Sequence, residues 1–200
     1  MAPFDQAGNA RHGGSCYRHA PGRRRAELTT ENSGVAVAFP LISSLASTCF
    51  GFEADFTANL RCIPMAVRRK LDLAGVKLKL HHWSELTEAE RNELLAWGDD
   101  AAAIEAMRAH LLKRTSSLSA GVARELPRPD GEPWQQVHKL PEVLAASCAQ
   151  LGLHLRDEGW EQLNELQRFA LVKLSHPGHE HRNLPRALAE FELLAAEPAP

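Results

Sequence analysis

Apolar residues recur at four-residue steps in two stretches of the chain. Ile63, Val67 and Leu71 form one row and Leu140, Leu144 and Cys148 another, and each spacing predicts an amphipathic helix. Pro64 and Pro141 stand at the first helical position, where a missing N–H costs nothing. Gly75 and Gly152 supply the left-handed residue that ends such a helix. A second helix is predicted after each glycine. Thr87 with Glu90, and Asn164 with Gln167, have the spacing of a capping box, and Leu94, Leu95 and Leu171, Val172 continue the apolar stripes. Trp83 and Trp160 precede these caps, with Leu86 and Leu163 placed to pack back as a hydrophobic staple; Arg91 and Arg168 follow one turn into the helix.

All these pairs share one offset, 152 − 75 = 77 residues, so the two stretches read as an internal repeat. The short alternating runs after the glycines, Val76 to Leu80 and Leu153 to Leu155, are too isolated to predict a sheet and are read as loops. Asp99 or Asp100 caps a further helix with Ile104, Met107 and Leu111 as its stripe, and Ser116 to Lys139, rich in proline, reads as an irregular connector. Phe52, Phe56 and Leu60, then Leu184, Leu188 and Phe191, fit flanking helices. The predicted fold is all-α: a helical bundle built from two pseudo-symmetric helix–loop–helix repeats, about 64–95 and 141–172, plus flanking helices. Neither repeat buries its apolar face alone, which favours packing about a pseudo-twofold axis. Pro64, Gly75, Trp83, Arg91, Gly152 and Trp160 are assigned structural roles.

Composition narrows the function. A formal charge of −2 excludes a globally basic nucleic-acid binder, and no apolar run is long enough to span a bilayer. Cys16, Cys49, Cys62 and Cys148 form no CxxC pair, so free thiols in a reducing cytosol are expected. Residues 1–48 combine arginines with an apolar stretch, but Pro40 and the polar TTEN segment break the pattern of an export signal. They are expected to be a disordered extension, and 49–195 a single all-helical domain. No phosphate loop, GxSxG or HExxH motif is present, so nothing in the sequence marks an enzyme.

Chemistry concentrates in unrepeated features. Between Arg61 and His82 stand six basic residues (Arg61, Arg68, Arg69, Lys70, Lys77, Lys79) and one acid, Asp72, whereas Trp83 to His110 carries seven acids and two arginines. Such asymmetry is either a solvated face or a docking surface for a protein or a phosphate-bearing cofactor. Cys62, beside Arg61 and just before a helix, is either a helix-entry residue or a thiol activated by positive charge. His176, His179 and His181 with Glu180 are either a polar turn or the start of a metal site, and no second ligand cluster completes it. His81 and His82 read as a loop pair.

The strings "FTANLRCIPMAVRRKLDLAGVKLKLHHW", "WSELTEAER" and "LQRFALVKLSHPGHEHRN" resemble three signature blocks of the bacterial nitrate reductase-associated protein family, over roughly residues 50 to 192. The resemblance implies a non-catalytic, cytoplasmic accessory or maturation factor, a chaperone of molybdenum-dependent assimilatory nitrate reductase. It further implies that nitrate reductase is the protein partner, with neither nucleic acid nor membrane involved. No cofactor would be held stably, and contact with the molybdenum cofactor or an iron–sulfur cluster would be transient. Carried over by motif match, the partner- or cofactor-binding residues are Arg61, Cys62, Arg68, Lys70, Asp72, Lys77, Lys79, Arg168, Lys173, His179, Glu180, Arg182 and Asn183. Alternatives are a metal or cofactor carrier using Cys62 and His179, or an electron-transfer adaptor. His176 and His181 depart from the family pattern, where arginine and asparagine are usual, which weakens a three-histidine metal site.

Overall fold

Capping chemistry sets the helix boundaries along the chain. In a computed structural model, residues 49–57, 59–156, 158–176 and 182–195 are described. Among them the helices run in the order α1 (Ala54–Thr57), α2 (Met65–Ala74), α3 (Leu80–Glu85), α4 (Glu88–Ala96), α5 (Ala101–Thr115), α6 (Glu142–Gln150), α7 (Gly159–Gln162), α8 (Glu165–Leu174) and α9 (Asn183–Glu190). Single 3₁₀ turns occupy Gly51–Glu53 and Pro133–Gln135. The described chain is thus mainly helical. Thr87 and Asn164 cap α4 and α8 reciprocally with Glu90 and Gln167, as the spacing predicts. Asp100 caps α5, its carboxylate accepting from the backbone N–H groups of Ala102 and Ala103.

The prolines sit one residue earlier than predicted. Pro64 and Pro141 are the extended N-cap residues of α2 and α6, with ψ of 155° and 135°. That geometry leaves Met65 as the first helical residue with an unpaired N–H, and the buried carboxylate of Glu53 takes it at 3.0 Å. Gly75 closes α2 in the left-handed region at φ 62°, and Gly152 follows α6 at φ 67°.

Two predicted loops carry more structure than their sequence signals. β1 (Val76–Lys77) pairs antiparallel with β2 (Arg124–Glu125), Val76 opposite Glu125 and Lys77 opposite Arg124. β2 belongs to the stretch read as an irregular connector, which also buries Trp134 against the ring of Phe169. His81 and His82 belong to α3, not to a loop. The expected flanking helix through Phe52, Phe56 and Leu60 is interrupted: Leu60 has φ 52°, which no helix accommodates.

Buried side chains form two hydrophobic clusters. One gathers residues from Leu60 to Ala123 around Trp83; the other gathers Phe52, Met65, Trp134, Trp160, Phe169 and the apolar face of α9. Leu73 of α2 and Leu166 of α8 pack against both. Arg69 reinforces that junction by reaching Glu165 of α8 at 2.5 Å and Asp99 at 2.9 Å.

Candidate docking cleft

The turn of chain from the entry of α2 through β1 to α3 folds around an open cleft of about 420 Å³. Its apolar lining comes from Ile63, Leu71, Val76 and Leu78, all buried in the first cluster, with Leu80 and Leu126 at the rim. Leu80 is 56% exposed and Leu126 36%, both high for large aliphatic side chains. Polar lining comes from Cys62, Arg68, Asp72, Lys77 and Lys173. Three cations against one carboxylate leave the wall positive by two charges. Asp72 is already paired with Lys173 at 2.6 Å, and the Lys173 ammonium lies 5.2 Å from the centre of the Phe169 ring. Arg68 is exposed and steadied by a 2.9 Å donation from its Nε to the Ile63 carbonyl, and Lys77 projects from β1 into solvent.

The cleft exists because three local features coincide. Gly75 turns the chain out of α2 so closely beneath β2 that a Cβ there would lie 2.5 Å from the Leu126 carbonyl oxygen. Leu126 N–H returns a 2.8 Å bond to the Gly75 carbonyl, and Arg108 donates to the carbonyls of Ala74 and Gly75 at 2.6 and 3.1 Å. β1 is therefore held by β2 at the exit of α2, and residues 63, 71, 76 and 78 all line the cleft.

The model of the conserved nitrate reductase-associated protein family matches residues 49–191. The chain belongs to this family. No curated protein and no solved structure matches it. Among the described residues no helix is long and apolar enough to cross a membrane.

In this nitrate reductase-associated chain the residues carried over from the family motifs divide by location. Cys62, Arg68, Asp72, Lys77 and Lys173 meet at the cleft, while Arg61 and Lys79 are exposed neighbours of its lining residues. Lys70 and Arg168, expected on a partner-binding face, are instead buried at 7% and 6% exposure. Lys70 Nζ donates to the Leu95 carbonyl at 2.8 Å and lies 3.4 Å from that of Leu94, placing a cation at the C-terminal end of α4. Burial lowers its pKa, with Asp99 opposing and Arg69 adding to the fall. Arg168 donates to the backbone carbonyls of Trp134 and Leu163. Both are basic residues whose positive charge serves helix ends and loop carbonyls within the fold.

Arg182 and Asn183 open α9, and neither is among the residues that line the cleft. His179 and Glu180, with Pro177, Gly178 and His181, lie outside the described residues, so the proposed pairing of Cys62 with His179 lies outside them too. Among the described residues no group of three or more His, Cys, Asp or Glu is placed to hold a metal ion. The positive end of α2, which the sequence offers to Cys62, is seated on the Glu53 carboxylate. Cys49 and Cys148 are shielded thiols: burial, then the Glu53 charge, pushes Cys49 up to about 11 against a hydrogen bond to Thr57, and burial raises Cys148.

Trp83, Arg91 and Trp160, which the sequence offers for structural roles, each bond backbone carbonyls. Trp83 Nε1 donates to the Leu60 carbonyl at 2.7 Å, and Arg91 donates to the carbonyls of Trp83, Leu60 and Ser84 at 3.0, 3.3 and 2.9 Å. Trp160 Nε1 donates to the Gln136 carbonyl at 2.9 Å. His82 is buried and accepts the Lys79 N–H at Nδ1 (3.1 Å), so its Nε2 carries the hydrogen that bonds the Gly121 carbonyl at 3.0 Å. Glu53 and His82 had no sequence signal beyond being polar residues in apolar surroundings. Leu126 had none, because its partner Gly75 is remote in the chain.

Proposed function

We propose that this chain is a non-catalytic accessory factor that docks on assimilatory nitrate reductase and assists its maturation, using the cleft between α2, β1 and α3. The observation that carries the reading is the convergence of Cys62, Arg68, Asp72, Lys77 and Lys173, drawn from two separated motif blocks, on one positively charged opening. The family description supports association with nitrate reductase and describes an associated protein, distinct from the reductase itself. A cleft with an apolar base and a charged wall suits recognition of another protein: burial of the base supplies affinity and the wall selects for opposite charge. Maturation would consist of holding the reductase in a state able to receive its molybdenum or iron–sulfur cofactor.

The test is to express the host's assimilatory nitrate reductase with and without this protein and to measure molybdenum and iron per reductase polypeptide, alongside activity. Reductase made alone should lack molybdenum and activity, and co-expression should restore both. Equal loading in the two samples would overturn the maturation reading.

A further inference from the structure

The cleft differs from a compact anion pocket in the way it meets the backbone. Val76, Lys77 and Leu78 are consecutive, and all three line it. Side chains of an extended segment alternate between faces, so a cleft lying over one face would meet every second residue. Val76 and Leu78 are buried and Lys77 is exposed, so the cleft takes its apolar base from one face of this segment and a cation from the other. β1 pairs with β2 on one side, and among the described residues no third strand joins the pair. An extended edge beside an apolar trough is the setting in which peptides add to a sheet, with main-chain bonds for affinity and alternate side chains for specificity.

The charges say which peptide fits. Arg68 and Lys77 are exposed at the wall, Asp72 is engaged with Lys173, and Arg61 and Lys79 flank the lining in sequence. An occupant must therefore bring negative charge. Leu80 and Leu126, exposed at the rim above Ile63, Leu71 and Leu78, require an apolar side chain between those charges. We infer that the cleft binds an extended acidic peptide segment carrying an apolar anchor, laid along the edge of β1. This deepens the docking reading above and rests on it for the identity of the partner, but the binding chemistry stands by itself.

The probes are fluorescein-labelled octapeptides with a central Leu-Val pair flanked by acidic, neutral or basic residues, titrated into the full chain by fluorescence anisotropy. The acidic peptide should bind saturably and at least tenfold more tightly than the neutral one, and replacing its Leu-Val pair by Ser-Ser should abolish binding. The double variant Arg68→Glu with Lys77→Glu, checked for wild-type helicity by circular dichroism, should lose at least tenfold for the acidic peptide and gain binding of the basic one. Unchanged acidic-peptide affinity in that variant, or no saturable binding by the wild type, overturns the inference. Tripolyphosphate provides the remaining arm: if it saturates the site while peptides do not, the cleft is a small-anion site and the peptide assignment fails. A pull-down of reductase with the same variants separates the two readings. Reductase retained by a variant that has lost the peptide would leave the cleft inference standing and move the reductase contact elsewhere. Reductase bound by a wild-type protein that takes no peptide would do the reverse.

Discussion

Replacing Lys70 by methionine tests whether the basic stretch of α2 serves the fold or a partner. The substitution keeps the aliphatic stem and removes the ammonium that donates to the Leu95 carbonyl at 2.8 Å. Losing a charged hydrogen bond at a buried carbonyl costs about 1.5–3 kcal/mol, and relieving the burial of the charge returns part of it, so a net loss of about 1–2 kcal/mol is expected. With a urea m-value of about 2 kcal/mol/M, the midpoint should fall by about 0.5–1 M. Lys70→Glu should be worse, about 3–5 kcal/mol, because it sets an uncompensated anion against carbonyl oxygens. The pH dependence has a definite sign. Burial lowers the folded-state pKa of Lys70 below its ordinary 10.5, so in that window the unfolded chain binds more protons and wild-type stability rises with pH. Lys70→Met cannot titrate there, and its deficit should widen as pH climbs toward 10.5. Urea titrations of both proteins at pH 7 and pH 10.5 measure this. A methionine variant with wild-type stability at pH 7, or a deficit that shrinks with pH, would refute the assignment of Lys70 to the end of α4.

Gly75 and Gly152 share a left-handed conformation but differ in surroundings. Gly152→Ala should cost only the conformational penalty, about 1–2 kcal/mol, since no atom lies within 4 Å of the new Cβ. Gly75→Ala should cost roughly 1–3 kcal/mol more by urea denaturation, because its Cβ would meet the Leu126 carbonyl at 2.5 Å and part β1 from β2. The hydrogen bond from Arg114, aided by Thr87 against a smaller burial effect, lowers the Glu90 pKa from 4.5 to about 2. Its stabilisation is complete above pH 4.5 and is lost as pH falls toward 2. The shift sets a ceiling of about 3 kcal/mol, which screening at this partly exposed pair reduces to about 1 kcal/mol. Glu90→Gln should therefore flatten the acid limb of stability against pH, and an unchanged limb would count against the pairing. Arg168→Lys should lower the melting temperature, since one ammonium cannot reproduce the guanidinium's reach to both the Trp134 and Leu163 carbonyls.

Much of the helical framework was legible because its signals are local. Thr87–Glu90, Asn164–Gln167, Asp100, Gly75 and Gly152 each act within a few residues, and the helix ends fall at or beside them. The prolines were misplaced by one position because proline tolerates both the N-cap and the first turn, and only the extended ψ distinguishes them. The β1–β2 pair was not legible: two residues give too little periodicity, and the partner strand lies in a connector whose composition reads as irregular. At the cleft the sequence indicated which residues carry charge, but not which way each side of α2 faces. Asp72 and Arg68 turn to the opening while Lys70, between them in sequence, turns inward to α4. The burial of Arg168 was hidden for a related reason, since the carbonyl of Trp134 that it bonds lies 34 residues away in the chain.

Glu190 accepts the N–H groups of Gly51 and Phe52 at 2.8 and 2.7 Å, and the rings of Phe50, Phe52 and Phe191 pack together. This ties an early segment of the chain to its last described helix, and it matters during synthesis on the ribosome. The buried members of the cluster around Trp83 have all been made once Ala123 is added, so that half can condense while translation continues. The other cluster already owns Phe52 and Met65 but must wait for Phe191 and Leu193. Throughout that interval Phe50 and Phe52 lack the Phe191 ring that packs on both in the folded protein. Slower translation through the second half lengthens the time for which this cluster is incomplete.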